Sequence, residues 1–375
     1  MKKCVIMPDS FKHTMSSIEI CDIIATQVLR FFPDCQTVQI PVADGGEGTT
    51  DCFLFAGGAE KVQLTVHGPY GQPLGVYYAR IGDTAVIEMA QAAGLPLVED
   101  RPDPAATSTY GVGEIARHAI ENGCSTIVIG LGGSSTNDAG AGFAAALGVR
   151  FYDQAGRSFV PTGGTLGLVS RIDKREAAGL LTGRSIIAMC DVDNPMFGPE
   201  GAAHIYAPQK GADQQMVQEL DNNLRHLSEV IRLELGLDVS QLPGAGAAGA
   251  MGAGIVAFLG GRLQSGIQTV LDLVGFDRII EDADLIITGE GKIDGQSLRG
   301  KVVIGIAERA MKKAIPVVVV AGDIGRGAEQ AYNLGVSAIF STNRLAVPFT
   351  EARKTSRDDL AATIESIMRL WQIST

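Results

Sequence analysis

Short apolar runs alternate with helical periodicities at both ends of the chain. Residues 3–8 form an apolar run that predicts a buried strand, and apolar residues then recur at helical spacing after a capping box that begins at Ser16. A second strand is predicted at 37–42. Near the C-terminus, further apolar runs predict strands at 284–288, 315–321 and 336–341. Helices are predicted at 302–312 and over about the last 25 residues.

The middle of the chain has periodic segments of its own, without a convincing internal repeat. Strands are predicted at 125–131 and 185–190, where apolar residues run without interruption. Three helices are predicted: 111–122, a segment that ends at Leu147, and 213–233. The glycine- and alanine-rich residues 244–254 predict a loop that opens into an apolar helix.

The alternation of strands and helices is typical of an α/β protein with parallel sheets. Neither end of the chain has enough strands for a complete sheet. We therefore expect residues 1–62 and 283–375 to build one doubly wound, Rossmann-like domain. Residues 63–282 are expected to form an inserted second α/β domain, with the active site in the cleft between the two.

Composition and charge narrow the class of protein. The 375 residues are 46% hydrophobic and 19% charged, which predicts a folded chain and disfavours disorder. The net charge of −11, without a basic stripe, argues against a nucleic-acid partner. No membrane span or signal peptide is predicted, so we expect a soluble cytoplasmic protein. The scattered cysteines predict reduced thiols, and the scattered histidines disfavour zinc.

Polar residues and glycines follow several of the predicted strands, where ligands collect in open α/β sheets. In PDSFK, residues 8–12, Asp9 is suited to a metal or a proton and Lys12 to a phosphate or carboxylate. In DGGEGT, residues 44–49, two carboxylates flank glycines, which suits Mg²⁺ better than bare phosphate. A simple turn and a helix cap are the alternative interpretations of these two segments.

Two segments in the middle of the chain have the same character. GLGGSSTND, residues 130–138, lies between a strand and a helix, where backbone N–H groups and hydroxyls favour an anion. CDVDNP, residues 190–195, places Asp191 directly after a strand, with Asn194 nearby, as a metal or substrate cluster. A solvated helix start and a turn are the respective alternatives.

The segment TGEGKIDGQSLRGKV, residues 288–302, resembles a Walker A motif at first sight. Val302 stands where that motif needs a hydroxyl for Mg²⁺, so we interpret the match as accidental. Acidic Glu290 and Asp294 nevertheless lie among basic residues and glycines. This mixture suits a metal ion together with an anion.

These segments, together with APQKGA (207–212) and GAGAAGAMGAG (244–254), occur in an order that resembles the bacterial glycerate kinase type I family. The resemblance covers the chain from Pro8 to about residue 340. It implies an enzyme that uses ATP and Mg²⁺ to transfer the γ-phosphoryl group to D-glycerate, at the 2-hydroxyl. Two residues depart from the pattern, His13 and Ala250, where glycine is expected.

Site roles follow from this combination of segments and chemistry. We expect Asp191, Lys12 and Lys301 to be catalytic, with Asp191 as base or metal ligand. The residues expected to bind the nucleotide are Gly132, Gly133, Ser134, Ser135, Asn137, Gly289 and Gly291. Those expected to bind the substrate are Asp9, Ser10, Asn194 and Arg299. The expected metal ligands are Asp44, Glu47, Glu290 and Asp294.

Alternatives remain open at this point. The acceptor is D-glycerate or another small hydroxy acid or polyol, and the product of glycerate is 2-phosphoglycerate or 3-phosphoglycerate. A non-catalytic ligand-binding regulator with the same fold is a further alternative, which the retained charged residues disfavour. We expect no membrane partner, and we leave the oligomeric state open, with a homo-oligomer as one alternative.

Overall fold

A computed structural model of the protein describes residues 1–12, 14–43, 45–46, 48–56, 58–295, 297–298 and 301–374. The strands in chain order are β1 (Lys3–Ile6), β2 (Gln36–Gln39), β3 (Glu60–His67), β4 (Pro73–Ile81), β5 (Thr84–Glu88), β6 (Thr126–Gly130), β7 (Arg150–Tyr152), β8 (Ser158–Phe159), β9 (Arg171–Asp173), β10 (Ser185–Met189), β11 (Arg262–Gln264), β12 (Leu285–Ile293), β13 (Val317–Ile324) and β14 (Ala338–Ser341).

The α-helices in chain order are α1 (Ser17–Phe31), α2 (Thr49–Phe55), α3 (Ala90–Ala93), α4 (Tyr110–Glu121), α5 (Ala141–Ala146), α6 (Arg175–Leu180), α7 (Ala202–Tyr206), α8 (Gln214–Leu235), α9 (Ala247–Leu259), α10 (Gly266–Val274), α11 (Phe276–Ile279), α12 (Val302–Met311) and α13 (Phe349–Ser374). Within the described residues, no helix is long and apolar enough to cross a membrane.

The chain divides into two compact units. The first contains Met1–Asp44, Asp51–Gly57 and Ser265–Thr375, and the second contains Gly45–Thr50 and Gly58–Gln264. The predicted boundaries are 62/63 and 282/283. In the structure α10 belongs to the first unit, where it packs against α12 through a hydrogen bond of 2.7 Å from Arg309 Nη2 to Gln268 Oε1.

The first unit is built on a parallel sheet with the strand order β14-β13-β12-β1-β2, so both ends of the chain contribute strands to it. Cys4, Val5 and Ile6 are all fully buried, which shows that both faces of the sheet are covered. Helices α1 and α13 pack together over one face and bury Ile24 and Leu360 there. The predicted α/β fold class with parallel sheets is confirmed.

Helix α1 and strand β12 can be compared with the start and the end predicted for them. Helix α1 begins with the predicted capping box, in which Ser16 accepts from Glu19 N–H and the Glu19 carboxylate bonds back to Ser16 N–H. Strand β12 is longer than predicted because it stays paired with β13 beyond Thr288, with Glu290 opposite Ala321. Residues 289–293, which we expected in a loop, are therefore the last part of a strand.

The second unit has a mixed sheet with the strand order β11-β10-β6-β5-β4-β3. Its first four strands are parallel, whereas β4 and β3 join as antiparallel strands. Strands β7, β8 and β9 form a separate small antiparallel sheet. Helix α8 follows its predicted extent closely, with the Asp213 carboxylate capping Met216 N–H at 2.8 Å.

Candidate active site

The first unit has a topological switch point between β1 and β12. From β1 the chain continues to β2 on one side, and from β12 it continues to β13 and β14 on the other. Ligands of open α/β sheets bind at such a point, beyond the carboxyl ends of the strands. Asp9 follows β1 there, and its backbone N–H donates to Gly289 O at 2.8 Å, which ties the loop to β12.

Four predicted site residues come together at this switch point. Glu290 has a pKa raised to about 7, chiefly because burial disfavours its charged form. Asp9 and Asp294 raise this pKa further, whereas a hydrogen bond from Ser297 and the charge of Lys301 lower it. The fold thus places three carboxyl groups and one ammonium group within electrostatic reach of one another.

One donor atom of this group suits a magnesium ion. Glu290 Oε1 is buried and has no hydrogen-bond partner among the described residues, so it is a carboxylate oxygen available for a ligand. Mg²⁺ prefers hard oxygen donors and is commonly held by one or two carboxylates together with substrate phosphates. Within the described part of the chain, no three His, Cys, Asp or Glu side chains form a metal-binding group of their own.

The other predicted site residues that the structure describes in the first unit are not part of this group of four. Lys12 and Gly291 line a cavity of about 440 Å³. Gly289 lies so close to β13 that a Cβ atom there would be 2.2 Å from Val320 O. Packing against β13 therefore requires glycine at this position. Ser10 N–H donates to Asp9 Oδ1 at 2.6 Å, as in a local turn.

In the second unit, the glycine loops bring backbone segments together. Gly132 N–H donates to Gly45 O at 3.0 Å, and a Cβ on Gly132 would lie 2.5 Å from Gly46 Cα. Gly48 N–H is 3.2 Å from both carboxylate oxygens of Glu88, a buried residue at the end of β5. Glu88 was not among the predicted residues, although a carboxylate at the end of an apolar strand is a signal that the sequence contains.

The predicted nucleotide-binding hydroxyls are buried in this structure. Ser135 is fully buried and its hydroxyl donates to Ala93 O at 2.9 Å. Asn137 is also fully buried, and neither polar atom of its amide has a partner among the described residues. Contact of either side chain with a ligand would therefore require this loop to move. Gly133, which was predicted with them, adopts a positive φ of 73°.

Lys210 lies beneath this loop and was not predicted as a functional residue. Its ammonium group is fully buried and donates to Ser134 Oγ at 2.8 Å and to Thr136 O at 2.7 Å. Burial lowers the pKa of Lys210 to about 7, against a smaller raising effect of the Asp138 charge. The segment APQKGA was visible in the sequence, but nothing in it shows that its lysine is internal.

Asp138 closes the same loop from the other side. Its carboxylate accepts from Thr109 N–H and Oγ1–H, each at 2.8 Å, and from the backbone N–H groups of Gly140 and Gly142. Burial raises the pKa of this carboxyl group, and the four hydrogen bonds oppose that effect. The loop 132–138 is thus held by a buried polar network.

Asp191 and Asn194 differ in their accessibility. Asp191 follows β10 directly and is exposed, so it can contact a ligand. Both ends of the Asn194 amide hold the turn: Oδ1 accepts from Tyr206 O–H at 2.6 Å, and Nδ2 donates to Glu200 O at 2.8 Å. A substrate contact of Asn194 would replace one of these bonds.

Several predicted positions lie outside the described residues: Asp44, Glu47, Arg299 and the departing residue His13. The other departing residue, Ala250, has a φ of +68°. This is the left-handed region that favours glycine, which is the residue that the resemblance implies there.

Comparisons with known proteins give one family. The model of the glycerate kinase family matches residues 4–372. Glycerate kinase from Bacillus cereus is 42% identical over 375 residues, which cover 99% of this chain and 98% of that protein. Glycerate 2-kinase from Escherichia coli is 42% identical over 368 residues, or 97% of each chain. A crystal structure from Salmonella typhimurium LT2, described provisionally as glycerate kinase 2, is 38% identical with a TM-score of 0.88 and covers 100% of this chain and 99% of that one.

Proposed function

Because the chain belongs to the glycerate kinase family, we propose that it phosphorylates D-glycerate with ATP at the 2-hydroxyl. The family identifies the protein as a kinase, with ATP as the implied phosphate donor. The match over residues 4–372 carries the choice of glycerate, and the name of the Escherichia coli relative supports the 2-hydroxyl. A cytoplasmic location is part of the same proposal.

The accessible charged groups suit a direct phosphoryl transfer. Such a reaction depends on a positioned hydroxyl and on stabilisation of charge at the transferred group, without a covalent intermediate on the protein. Asp191, exposed at the end of β10, is proposed to orient the acceptor hydroxyl and accept its proton. Lys12 and Lys301, both exposed, are proposed to neutralise the carboxylate of glycerate or the phosphate.

Glu290 and Asp294 are proposed to hold Mg²⁺ together with the phosphates of ATP, with Asp44 and Glu47 as the further predicted ligands. When bound, the ion offsets the negative charge of the phosphates. Asp9 and Ser10, next to this group, stay predicted substrate residues, as do Asn194 and Arg299. The role of the loop 132–135 in binding phosphate also stays a prediction.

The direct test is a reaction of the purified protein with Mg·ATP and D-glycerate, in which ³¹P NMR resolves the products. We expect the signal of 2-phosphoglycerate. The signal of 3-phosphoglycerate would keep the substrate and reject the 2-hydroxyl. Absence of turnover with D-glycerate, together with turnover of another hydroxy acid or polyol, would reject the proposed substrate.

The proposed role of Asp191 has its own test. Asp191→Asn removes the proton acceptor but keeps the shape of the side chain, so kcat is expected to fall at least about 100-fold. Asp193→Asn, two residues further along the same exposed turn, is the matched control and is expected to keep most of the activity. A near-normal kcat of Asp191→Asn, or an equal loss in both variants, would reject the assignment.

A further inference from the structure

The cavity of about 440 Å³ in the first unit lies at the carboxyl-terminal parts of three neighbouring strands. Gly291 of β12, Gly322 of β13 and Thr342 after β14 contribute to its wall. The beginning of α13 contributes Phe349 and Arg353, and the loop after β1 contributes Phe11 and Lys12. It therefore adjoins the switch point where ligands of such sheets bind.

The size of the cavity suits a ligand much larger than glycerate. Pockets that enclose cofactors and drug-sized molecules have volumes of about 300–1,000 Å³. A three-carbon acid would leave most of a cavity of about 440 Å³ empty. A nucleoside is of the size that such a cavity encloses.

An aromatic ring in the wall is left exposed by the fold. Phe349 is 56% exposed although it lines the cavity, whereas Phe11, in the same wall, is only 4% exposed. An exposed aromatic face in a cavity is suited to stacking on a nucleobase, since every base has a π-face. Phe11 in contrast belongs to the apolar core beneath α1 and α13.

Polar groups of the wall complement an adenine base. Asn343 is exposed at the cavity, and within the described residues no hydrogen bond to its side-chain amide is seen. An amide offers one donor and one acceptor side by side, which matches the N6 and N7 edge of adenine. This edge is one that an asparagine can bind with two hydrogen bonds at once.

The charges of the wall favour an anion. Lys292 pairs with Asp323 at 3.3 Å between Nζ and Oδ2. Lys12 and Arg353 are exposed and have no carboxylate partner within the described part of the chain. The wall thus retains two cations for phosphate groups. Gly291 directly follows Glu290 in β12, so along this strand the cavity adjoins the acidic group proposed for Mg²⁺.

We propose that this cavity binds the adenosine part of ATP, with Phe349 stacked on adenine and Asn343 at the edge of the base. Lys12 and Arg353 contact the phosphates. The choice of ATP rests on the proposed function, whereas the location in the first unit rests on the cavity itself.

The test measures binding of ADP by calorimetry, without glycerate and without turnover. Phe349→Ala is expected to raise the Kd for ADP roughly tenfold or more, because it removes a stacking ring. Phe349→Tyr keeps the ring and is expected to keep the affinity. Phe55→Ala is the matched control, because Phe55 belongs to the same unit, is 40% exposed and lies outside the cavity wall.

A second pair of variants separates the base from the phosphates. Arg353→Gln is expected to weaken the binding of ADP but not that of adenosine. Arg357→Gln, one helical turn further along α13 and paired with Glu19, is expected to change neither. Because Phe349 and Arg353 are exposed, thermal unfolding of the variants is expected to match that of the parent protein.

These experiments test the adenosine cavity separately from the proposed phosphorylation of glycerate. The proposal for the cavity is overturned if ADP does not bind, if Phe349→Ala and Phe55→Ala bind ADP equally, or if Phe349→Ala weakens D-glycerate instead of ADP. Turnover of D-glycerate with unchanged ADP binding in Phe349→Ala would reject the cavity and keep the enzyme activity. If the parent protein does not phosphorylate glycerate but Phe349→Ala loses ADP binding, the cavity is supported and the proposed activity is rejected.

Discussion

The buried lysine beneath the loop 132–138 gives a test of the second unit that is independent of catalysis. Lys210→Met replaces the ammonium group by an apolar side chain of similar length. It removes the hydrogen bonds to Ser134 Oγ and Thr136 O, and it also removes the cost of burying a charge. These two effects oppose each other at neutral pH. The dependence of stability on pH, and not its value at one pH, is therefore the informative quantity.

The magnitude follows from the pKa of Lys210. Burial lowers it to about 7 from the usual 10.5, so between these pH values the unfolded chain holds one proton that the folded chain lacks. The free energy of unfolding then rises with pH by about 1.4 kcal/mol per unit in this window. Between about pH 7 and about pH 9.5 the contribution of Lys210 amounts to about 3 kcal/mol. Below about pH 7, where both states are protonated, this contribution is lost.

Urea unfolding of the parent protein and of Lys210→Met at several pH values measures this contribution as a difference. Cys4 and Cys21 act in the opposite direction at alkaline pH, because burial raises the pKa of each thiol. Both thiols are present in both proteins, so they cancel in the difference. Lys210→Arg, which cannot lose its proton, is expected to be destabilised throughout this range. Parallel pH dependences of the parent protein and Lys210→Met would refute the reasoning.

Two further predictions concern the glycine packing and the proposed metal site. Gly249→Ala is expected to destabilise the protein by about 3 kcal/mol or more, because its Cβ would lie 2.1 Å from Thr136 O. The control Gly236→Ala, also at positive φ but in open space, is expected to cost about 1 kcal/mol. Equal urea midpoints of the two variants would contradict this prediction. Glu290→Gln is expected to raise the Mg²⁺ concentration for half-maximal activity at least about tenfold, and the exposed control Glu281→Gln is expected to leave it unchanged. An unchanged Mg²⁺ titration of Glu290→Gln would remove Glu290 from the metal ligands.

The fold was predictable where the apolar pattern is unambiguous. The uninterrupted apolar runs at 3–8, 284–288 and 315–321 correspond to β1, β12 and β13, which are mostly buried and form the middle of the parallel sheet in the first unit. Strand β3 was missed because its side chains alternate between exposed and half-buried, which gives a polar segment without a strong apolar run. The extension of β12 was missed for another reason, since pairing with β13 overrides the glycines and charges of residues 289–292.

The candidate site was predictable only in part, because position along a strand shows in the sequence and burial does not. The expectation that polar residues after apolar runs lie at a ligand site pointed to Asp9 and Glu290, and the structure places these two within electrostatic reach of each other. Lys210 could not be found in this way, since its partner Ser134 lies 76 residues earlier and only the tertiary structure joins them. The shifted pKa of Lys210 results from that burial, so it has no local signal in the sequence.

The glycine-rich segments and the charged residues have different tasks in this structure. Gly132 and Gly249 each let backbone segments approach to distances at which any Cβ would collide, and Lys210 and Asp138 hold the intervening loop from inside. Close packing and these buried hydrogen bonds hold the backbone of the loop in one conformation. Lys12, Lys301 and Asp191, the residues proposed as catalytic, are all exposed. Substitutions at the buried positions should therefore act first on stability, and substitutions at the exposed positions first on turnover.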